Sequence, residues 1–596
     1  MQDKPRRWSQ VLLVVLAATT LAALWGDSQL ESSPIGWEEQ DVLYALWAFG
    51  EVDRSNIGVD DANIFFTYGK HLADGHGLVW NVGGERVEGY SSTLWMLSAA
   101  VTYWLHLPTE GTLFVLNVVL VAAALTVLIF EMERLIRAHR SSSTPISLES
   151  AIVLAWTFLV PGYVVWTCLS LLDSGMWSAI LITATVLIAA EARAETVDRK
   201  RFWGLAALIV AMLLGRPEGM LWAGTFAALY GGVLFVRGDG ARAALKSFAT
   251  LVGVYALALA GLTAFRLAYF GYPLPNTYYA KMSPDLGYNL SAGWRYFRLF
   301  LESNWLLWIA VPAALWGTFR IFVLLRRGER AAESPTSRLP DLPLAVVSCV
   351  VLIGLVVPIL EGGDHFRLYR FFQPIWPLLV LPAVALAETA LLRWAPQPFL
   401  ASLRRLQLLV LVLLAGVFAT ANAITWGDLS DDLVQYEFRL ATRARAIGEN
   451  LNRTFAPTGL PSVGVVVAGG VGYTYEGEVV DLMGLNLVEM AHQPGDRVGI
   501  KNHAAFSKEV FWRLQPDIML PQTELSERRI PNYEGTFWYA VPLKELPSDP
   551  EFRQAYRPAA VRRKGRPGDV FIIGIYRRDY LRDLVMSGAY DVFAPA

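Results

Sequence analysis

The chain has 596 residues, 54% of them hydrophobic and only 17% charged, with a mean hydropathy of +0.37. Soluble domains carry roughly 25% charged residues, so this composition speaks against a soluble protein and predicts one embedded in a lipid bilayer. The net charge of −2 leaves no basic excess to neutralise phosphates, which excludes a nucleic-acid partner.

Taken in chain order, the first apolar run, Trp8–Trp25, follows the basic cluster Lys4, Arg6 and Arg7. It lacks a small-residue cleavage site before Asp27 and reads as a retained signal anchor. Further runs of spanning length recur at Thr112–Phe130, Ala151–Cys168, Gly175–Ala190, Phe202–Leu214 and Met220–Val236. They continue at Phe248–Ala268, Trp305–Leu325, Leu342–Leu360, Pro374–Leu392 and Leu406–Trp426, giving about eleven transmembrane helices. The amphipathic, shorter run Thr93–Leu107 reads as a helix lying on the membrane face.

Treating Thr93–Leu107 in this way puts the arginine- and lysine-bearing loops on one side. These include Arg134, Arg137 and Arg140, then Arg193, Arg199, Lys200 and Arg201, then Arg237, Arg242 and Lys246, with Arg326, Arg327, Arg330, Arg338, Arg393, Arg404 and Arg405 to follow. Cytoplasmic loops are the basic ones. The amino terminus is therefore expected in the cytoplasm of a multi-pass protein of the cell membrane, and the carboxyl-terminal segment outside.

Residues 1–426 form the expected membrane domain, and 427–596 a small extracytoplasmic α/β domain. The latter holds strand-like runs "SVGVVVAGGVGY", "EVVDLMGLN" and "DVFIIGIYR" and the helix-like "HAAFSKEVFWRL". The spacing in "AGGVG" is not the dinucleotide fingerprint, and it reads as a tight turn after a strand. Cys168 and Cys349 lie in apolar runs, with no metal-like or disulfide-like spacing.

On this topology the outward loops collect the unusual polar residues: "VDDANIFFTYGK" with "GGERVEGYSS", "LSLLDSG", "GRPEG", "GYPLPNTYYAK" and "EGGDHFRLYRFF". Loops on a rigid scaffold are where binding and catalysis concentrate, so five such loops predict one site at the outer membrane boundary. Asp60, Asp61 and Asp364 offer carboxylates for base work or metal ligation. Arg216, Lys281, Arg367 and Arg370 suit a phosphate, and Tyr90, Tyr278, Tyr279, Phe371 and Phe372 offer faces to a sugar or lipid. Glu85 and Arg86 add charge to the first loop, beside His71 and His76.

Each piece also has a plainer reading. Arginine and lysine at span ends snorkel to the interface. "GRPEG" suits a helix break with an internal Arg–Glu pair, and an Asp–Asp pair suits the cap of a helix beginning at Ala62. The combination points to a site where single residues do not.

The motifs also carry a resemblance. "DDANIFFTYGKHLADGHGLVWNVGGERVEGYSSTLW", "PLPNTYYAK", "GGDHFRLYRFFQPIWPLL" and "VVDLMGLNLVEMA…GIKNH" resemble the C-type integral membrane glycosyltransferases (GT-C). Within them they are most similar to the bacterial terminal arabinofuranosyltransferases that use a polyprenyl-phosphate donor. The resemblance is collinear over nearly the whole chain. It implies inverting transfer of arabinofuranose to an envelope glycan or glycoprotein outside the membrane, with catalytic Asp60 and Asp61. It further implies Lys281 and Arg370 beside the donor phosphate, Asp364 in the "GGD" element, Asn276 in "PNT", and His503 in the outer domain. Asp60 is the expected base and Asp61 a metal ligand or cap. A divalent cation bridging Asp61 or Asp364 to the phosphate stays open, and no other cofactor is implied. The competing classes are a transporter or lipid flippase, which would need charges at the midplane, and a structural envelope protein, which would leave the loops unexplained.

Overall fold

The computed structural model describes residues 3–29, 58–138, 146–327, 341–394, 406–431, 433–524, 537–565 and 570–595. Seven helices are long and apolar enough to cross a membrane: Trp8–Ser28, Thr109–Ile136, Ser174–Ala192, Gly219–Arg237, Ala241–Tyr269, Leu342–Leu360 and Arg367–Leu391. Ala151–Cys168 is not a straight span. It is two helices, Leu148–Phe158 and Pro161–Leu169, bent by 70°. The cause is Pro161, which lacks an N–H and pushes Val160 into extended conformation (φ −108°, ψ 129°). Counted as one span, the pair makes eight.

The other three expected runs also form helices, Arg199–Gly215, Leu307–Arg327 and Gln407–Ala421, but these fall outside that set. At 1.5 Å per residue, 17 residues reach only about 25 Å, short of the roughly 30 Å hydrocarbon core. Thr93–Trp104 is a helix of 12 residues, too short to cross.

The chain divides into two compact units whose borders fall at residues 40/41, 112/113, 262/263, 289/290 and 434/435. The first unit holds most of the apolar helices. Trp156 and Trp376 stack with centroids 4.3 Å apart, and each indole N–H donates to the other's carbonyl, at 2.8 and 3.0 Å. Two indoles thus satisfy their polar edges inside an apolar interior, as buried tryptophans require. Arg201 and Arg237, expected as loop charge, both pair with the fully buried Glu191, at 2.7 and 3.1 Å. They tie helix ends together as well.

The second unit contains residues 41–112, 263–289 and 435–596. Its six-stranded mixed sheet comprises β1 (Val463–Val465), β2 (Val479–Asp481), β3 (Ile518–Glu524), β4 (Tyr556–Arg563), β5 (Phe571–Arg577) and β6 (Tyr590–Phe593). The order is β2-β1-β3-β5-β4-β6; β1 runs parallel to β2 and β3, and the remaining pairs are antiparallel. Phe506, Phe511, Leu543, Phe552, Tyr556 and Ile575 fill its core. Helix Asp60–Ala73 packs on helix Thr93–Trp104 at Gly69, where a Cβ would meet the Ala100 nitrogen at 2.8 Å. Only glycine allows that approach.

Candidate active site

The acid pair opens helix Asp60–Ala73, which begins at Asp60 rather than at Ala62. Neither aspartate caps that helix, because its N-cap is Val59, with no side-chain bond. Asp60 reaches instead to a distant segment. Its Oδ2 accepts the Gly469 N–H at 2.9 Å and its Oδ1 the Gly470 N–H at 2.8 Å. Those N–H groups are free because they start the short helix Gly469–Thr474, and a carboxylate is favoured at that end.

The glycines of "AGGVG" are thereby explained. A Cβ at Gly469 would lie 2.0 Å from the Asp60 carbonyl oxygen, and one at Gly472 2.0 Å from the Trp80 ring. The expected tight turn is this helix start, closed against neighbouring chain.

Burial pushes the Asp60 carboxyl up to about 7, aided by the neighbouring Asp61 and opposed by the two N–H donors and by Arg445. Asp61 is half-buried. Arg445 donates to Asn63 Oδ1 and to Glu110 Oε1, both at 2.7 Å, and lies 4.2 Å from the Tyr473 ring centre. Asn63 in turn donates to the Asp60 carbonyl at 3.3 Å.

The same unit fixes the "PNTYYAK" segment. Asn276 is buried; its backbone N–H donates to Glu88 O at 3.0 Å and its amide to Gly484 O and Leu485 O at 2.8 and 3.0 Å. Glu88 is gripped bidentately by Arg266 at 2.7 and 2.8 Å. Asn276 therefore serves as a lock between segments. Tyr279 packs against His492, centroids 4.1 Å apart, and its carbonyl accepts from Arg497 at 3.1 Å. Lys281, half-buried at the end of helix Asn276–Lys281, makes no ion pair or hydrogen bond with the described residues. Of the remaining predicted residues here, Glu85 accepts the Val488 N–H at 2.8 Å, Arg86 lies over Tyr269 at 4.5 Å, and His503 Nδ1 is 3.1 Å from Lys501 O.

The other predicted charges lie in the first unit. Arg216 pairs with Asp173 at 2.9 Å and with Glu218, so the internal pair of "GRPEG" is real and has a third member. Burial works against the Arg216 charge, but Asp173 and Glu218 more than offset it and raise its pKa. Burial, reinforced by Glu218, holds Glu361 well above the ordinary carboxylate range, against the opposing charge of Arg216. Arg370 donates to Asp364 at 2.8 Å and sits 4.3, 5.2 and 5.8 Å from the rings of Phe366, Phe371 and Trp166. Arg367 is exposed, and its carbonyl accepts the Trp166 N–H at 2.9 Å.

Strained backbone marks these loops. Leu171, Leu368 and Tyr369 have φ of 56°, 59° and 51°. Left-handed non-glycine residues cost on the order of 1–3 kcal/mol each and cluster at functional sites. Here the Leu368 carbonyl is held by the Gln373 amide at 2.6 Å.

Three of the five polar loops thus come together in the first unit, and two lie in the second. Arg216 and Arg370 are already charge-balanced by carboxylates. Sequence reasoning read Glu218 only as the partner of Arg216, and it missed Glu361, Glu110 and Arg445. Glu218 and Glu361 sit inside quoted motifs, whereas Arg445 lies on a helix whose sequence carries no motif. Among the described residues no group of three or more His, Cys, Asp or Glu is arranged to hold a metal ion. Asp61 and Asp364 belong to different units. No chemical step is routed through a cation.

No protein-family model and no curated protein matches this chain. Among solved structures, the chain is similar to the archaeal oligosaccharyltransferase AglB from Archaeoglobus fulgidus in complex with an inhibitory peptide and a dolichol-phosphate. The TM-score is 0.47 at 10% identity, over 94% of this chain and 74% of that one. The apo oligosaccharyltransferase of the same organism gives 0.47 at 11% identity, over 96% and 77%. At these values no residue role is transferred.

Proposed function

We propose that this chain is a membrane glycosyltransferase of the GT-C type. It moves a sugar, arabinofuranose on the motif resemblance, from a polyprenyl-phosphate donor to an envelope glycan or glycoprotein outside the cytoplasm. The observation that carries the reading is the acid pair: one carboxylate anchored in a buried site by two backbone N–H groups, the next half-exposed beside it.

In this reading the acceptor hydroxyl attacks the anomeric carbon on the face opposite the phosphate. The new C–O bond forms as the bond to the phosphate oxygen breaks, the hydroxyl proton passes to a carboxylate, and polyprenyl phosphate leaves. Asp61 is the base, because both Asp60 oxygens already accept bonds inside the protein. Asp60 positions it by fixing the start of the helix. Lys281 meets the donor phosphate, being a cation with no carboxylate partner among the described residues. Arg216 and Arg370 then organise the loops of the first unit.

The test is incubation of the purified protein with a panel of polyprenyl-phosphate sugars, following release of polyprenyl phosphate. Acceptor-stimulated release from at least one donor supports the reading. Silence across the panel, with folded protein, removes it.

A further inference from the structure

Helix Leu286–Ser303 is not among the membrane-crossing helices, and the transfer chemistry above does not use it. From residue 290 onward it lies in the first unit. One stripe of it packs on protein. A Cβ at Gly293 would lie 2.1 Å from the Ile359 carbonyl oxygen, and the rings of Tyr296 and Phe300 stack on Phe372 with centroids 5.3 and 4.1 Å apart. Ile359 stands in the last turn of the span Leu342–Leu360. The helix is therefore held at the end of a span, where the hydrocarbon stops and the headgroups begin.

The rest of its surface divides in two. At about 100° per residue, Leu290, Trp294, Phe297 and Leu301 form a second stripe beside the packed one; Leu290 and Trp294 are exposed and the other two half-buried. A third stripe, about a quarter-turn further round, carries Ser291, Arg295, Arg298 and Glu302, all exposed, and Leu299 stands exposed beyond it. Arg298 pairs with Glu302 at 3.5 Å, whereas Arg295 makes no ion pair with the described residues. Past the helix the chain continues the apolar surface, with Trp305 and Trp308 49% and 60% exposed. A contiguous exposed apolar surface marks a contact with protein or membrane, and indoles at a span end form the belt of a membrane–water interface.

We infer that this helix lies in the plane of the bilayer interface, with the stripe from Leu290 to Leu301 in the acyl boundary and Arg295 and Arg298 at the level of the phospholipid phosphates. An interfacial helix needs an apolar side, a cationic side and too little overall hydrophobicity to cross, and this one has all three. The partner is phospholipid rather than a second copy of the chain, because the surface begins at the end of a span and arginines border its apolar stripe at headgroup height. Glu302 offsets one arginine, so the preference for anionic lipid is that of a single charge, about fivefold. The inference does not depend on the transferase reading.

The experiment uses the full chain in liposomes of equal phosphatidylglycerol and phosphatidylcholine, without donor or acceptor. The photocrosslinker p-benzoylphenylalanine replaces Leu290, Trp294, Ser291 or Leu299 one at a time, and adducts are identified by mass spectrometry after irradiation. The same replacement at Leu257, exposed on the span Ala241–Tyr269, calibrates the yield of lipid adducts. Acyl-chain adducts are expected at 290 and 294 and not at 291 or 299. Equal yields at all four positions, or none at 290 and 294 while 257 reacts, describe a solvated helix and overturn the inference. Chain-to-chain adducts at 294 overturn it in favour of a second copy. Adding Arg295→Ala to the position-294 variant is expected to lower the ratio of phosphatidylglycerol to phosphatidylcholine adducts about fivefold. An unchanged ratio overturns the headgroup assignment.

Discussion

Asp60 Oδ2 accepts the backbone N–H of Gly469 at 2.9 Å across 409 residues of chain. The contact ties the first polar loop to the segment after β1 and makes both motifs interpretable together. Gly469→Ala would put a Cβ 2.0 Å from the Asp60 carbonyl oxygen, which backbone cannot yield cheaply. The variant is expected to lose at least about 1–3 kcal/mol, the range for overpacking, with turnover falling alongside. Thermal unfolding in detergent checks this; an unchanged midpoint would dissolve the contact.

The Asp60 carboxyl gives a stability signature in pH. Its ordinary value is 3.8, and the fold raises it to about 7. The folded state therefore holds this proton more tightly than the unfolded one. The contribution favours folding below about pH 4, is lost as pH rises towards 7, and is constant above. The slope approaches about 1.4 kcal/mol per pH unit within that window. Asp60→Asn should flatten the difference between pH 4 and 7, measured as denaturant stability at each pH. A parallel curve for both proteins would place the ionisation elsewhere.

Asp60→Asn is not a clean probe of chemistry, because its amide would present an N–H₂ to one of two backbone donors. It should destabilise the second unit by about 1–3 kcal/mol. That inference was beyond the sequence. "DD" announces an acidic site but cannot say which carboxylate is committed to a helix 409 residues away.

Lys281→Ala is expected to raise the KM for the donor about tenfold or more, the loss of one charge-assisted bond, with the unfolding midpoint nearly unchanged. Equal donor kinetics would leave Lys281 an interfacial side chain.

Arg370→Ala should behave in the opposite way. It strips a partner from Asp364, whose side chain is fully buried, and breaking a buried pair costs about 3–5 kcal/mol. Expression and unfolding midpoint should fall before any kinetic parameter can be read. The double change Arg370→Met/Asp364→Leu should recover much of the loss. A stable, fully folded Arg370→Ala protein would contradict this account and return Arg370 to the phosphate.

Hydropathy made the helices legible: all eleven apolar runs became helices, because length and apolarity decide that locally. Their shape was less legible. The bend at Pro161 follows from a residue in plain sight, but its 70° does not. In the sheet, β1, β2 and β5 lie within the expected runs. β3 and β4 escaped notice because Pro521 and Pro558 interrupt them, and proline argues against a strand interior. The pairings of Arg216 with Asp173 and Arg445 with Glu110 join separate segments, which no local pattern encodes.

The central claim is that the acid pair performs glycosyl transfer with Asp61 as base. It is tested most directly by single-turnover release of polyprenyl phosphate from a bound donor sugar, comparing wild type with Asp61→Asn at equal folded fraction. The expected result is a fall of at least about 10²-fold in the rate, the lower range for a lost general base, with donor affinity retained. Release at the wild-type rate by Asp61→Asn would contradict it.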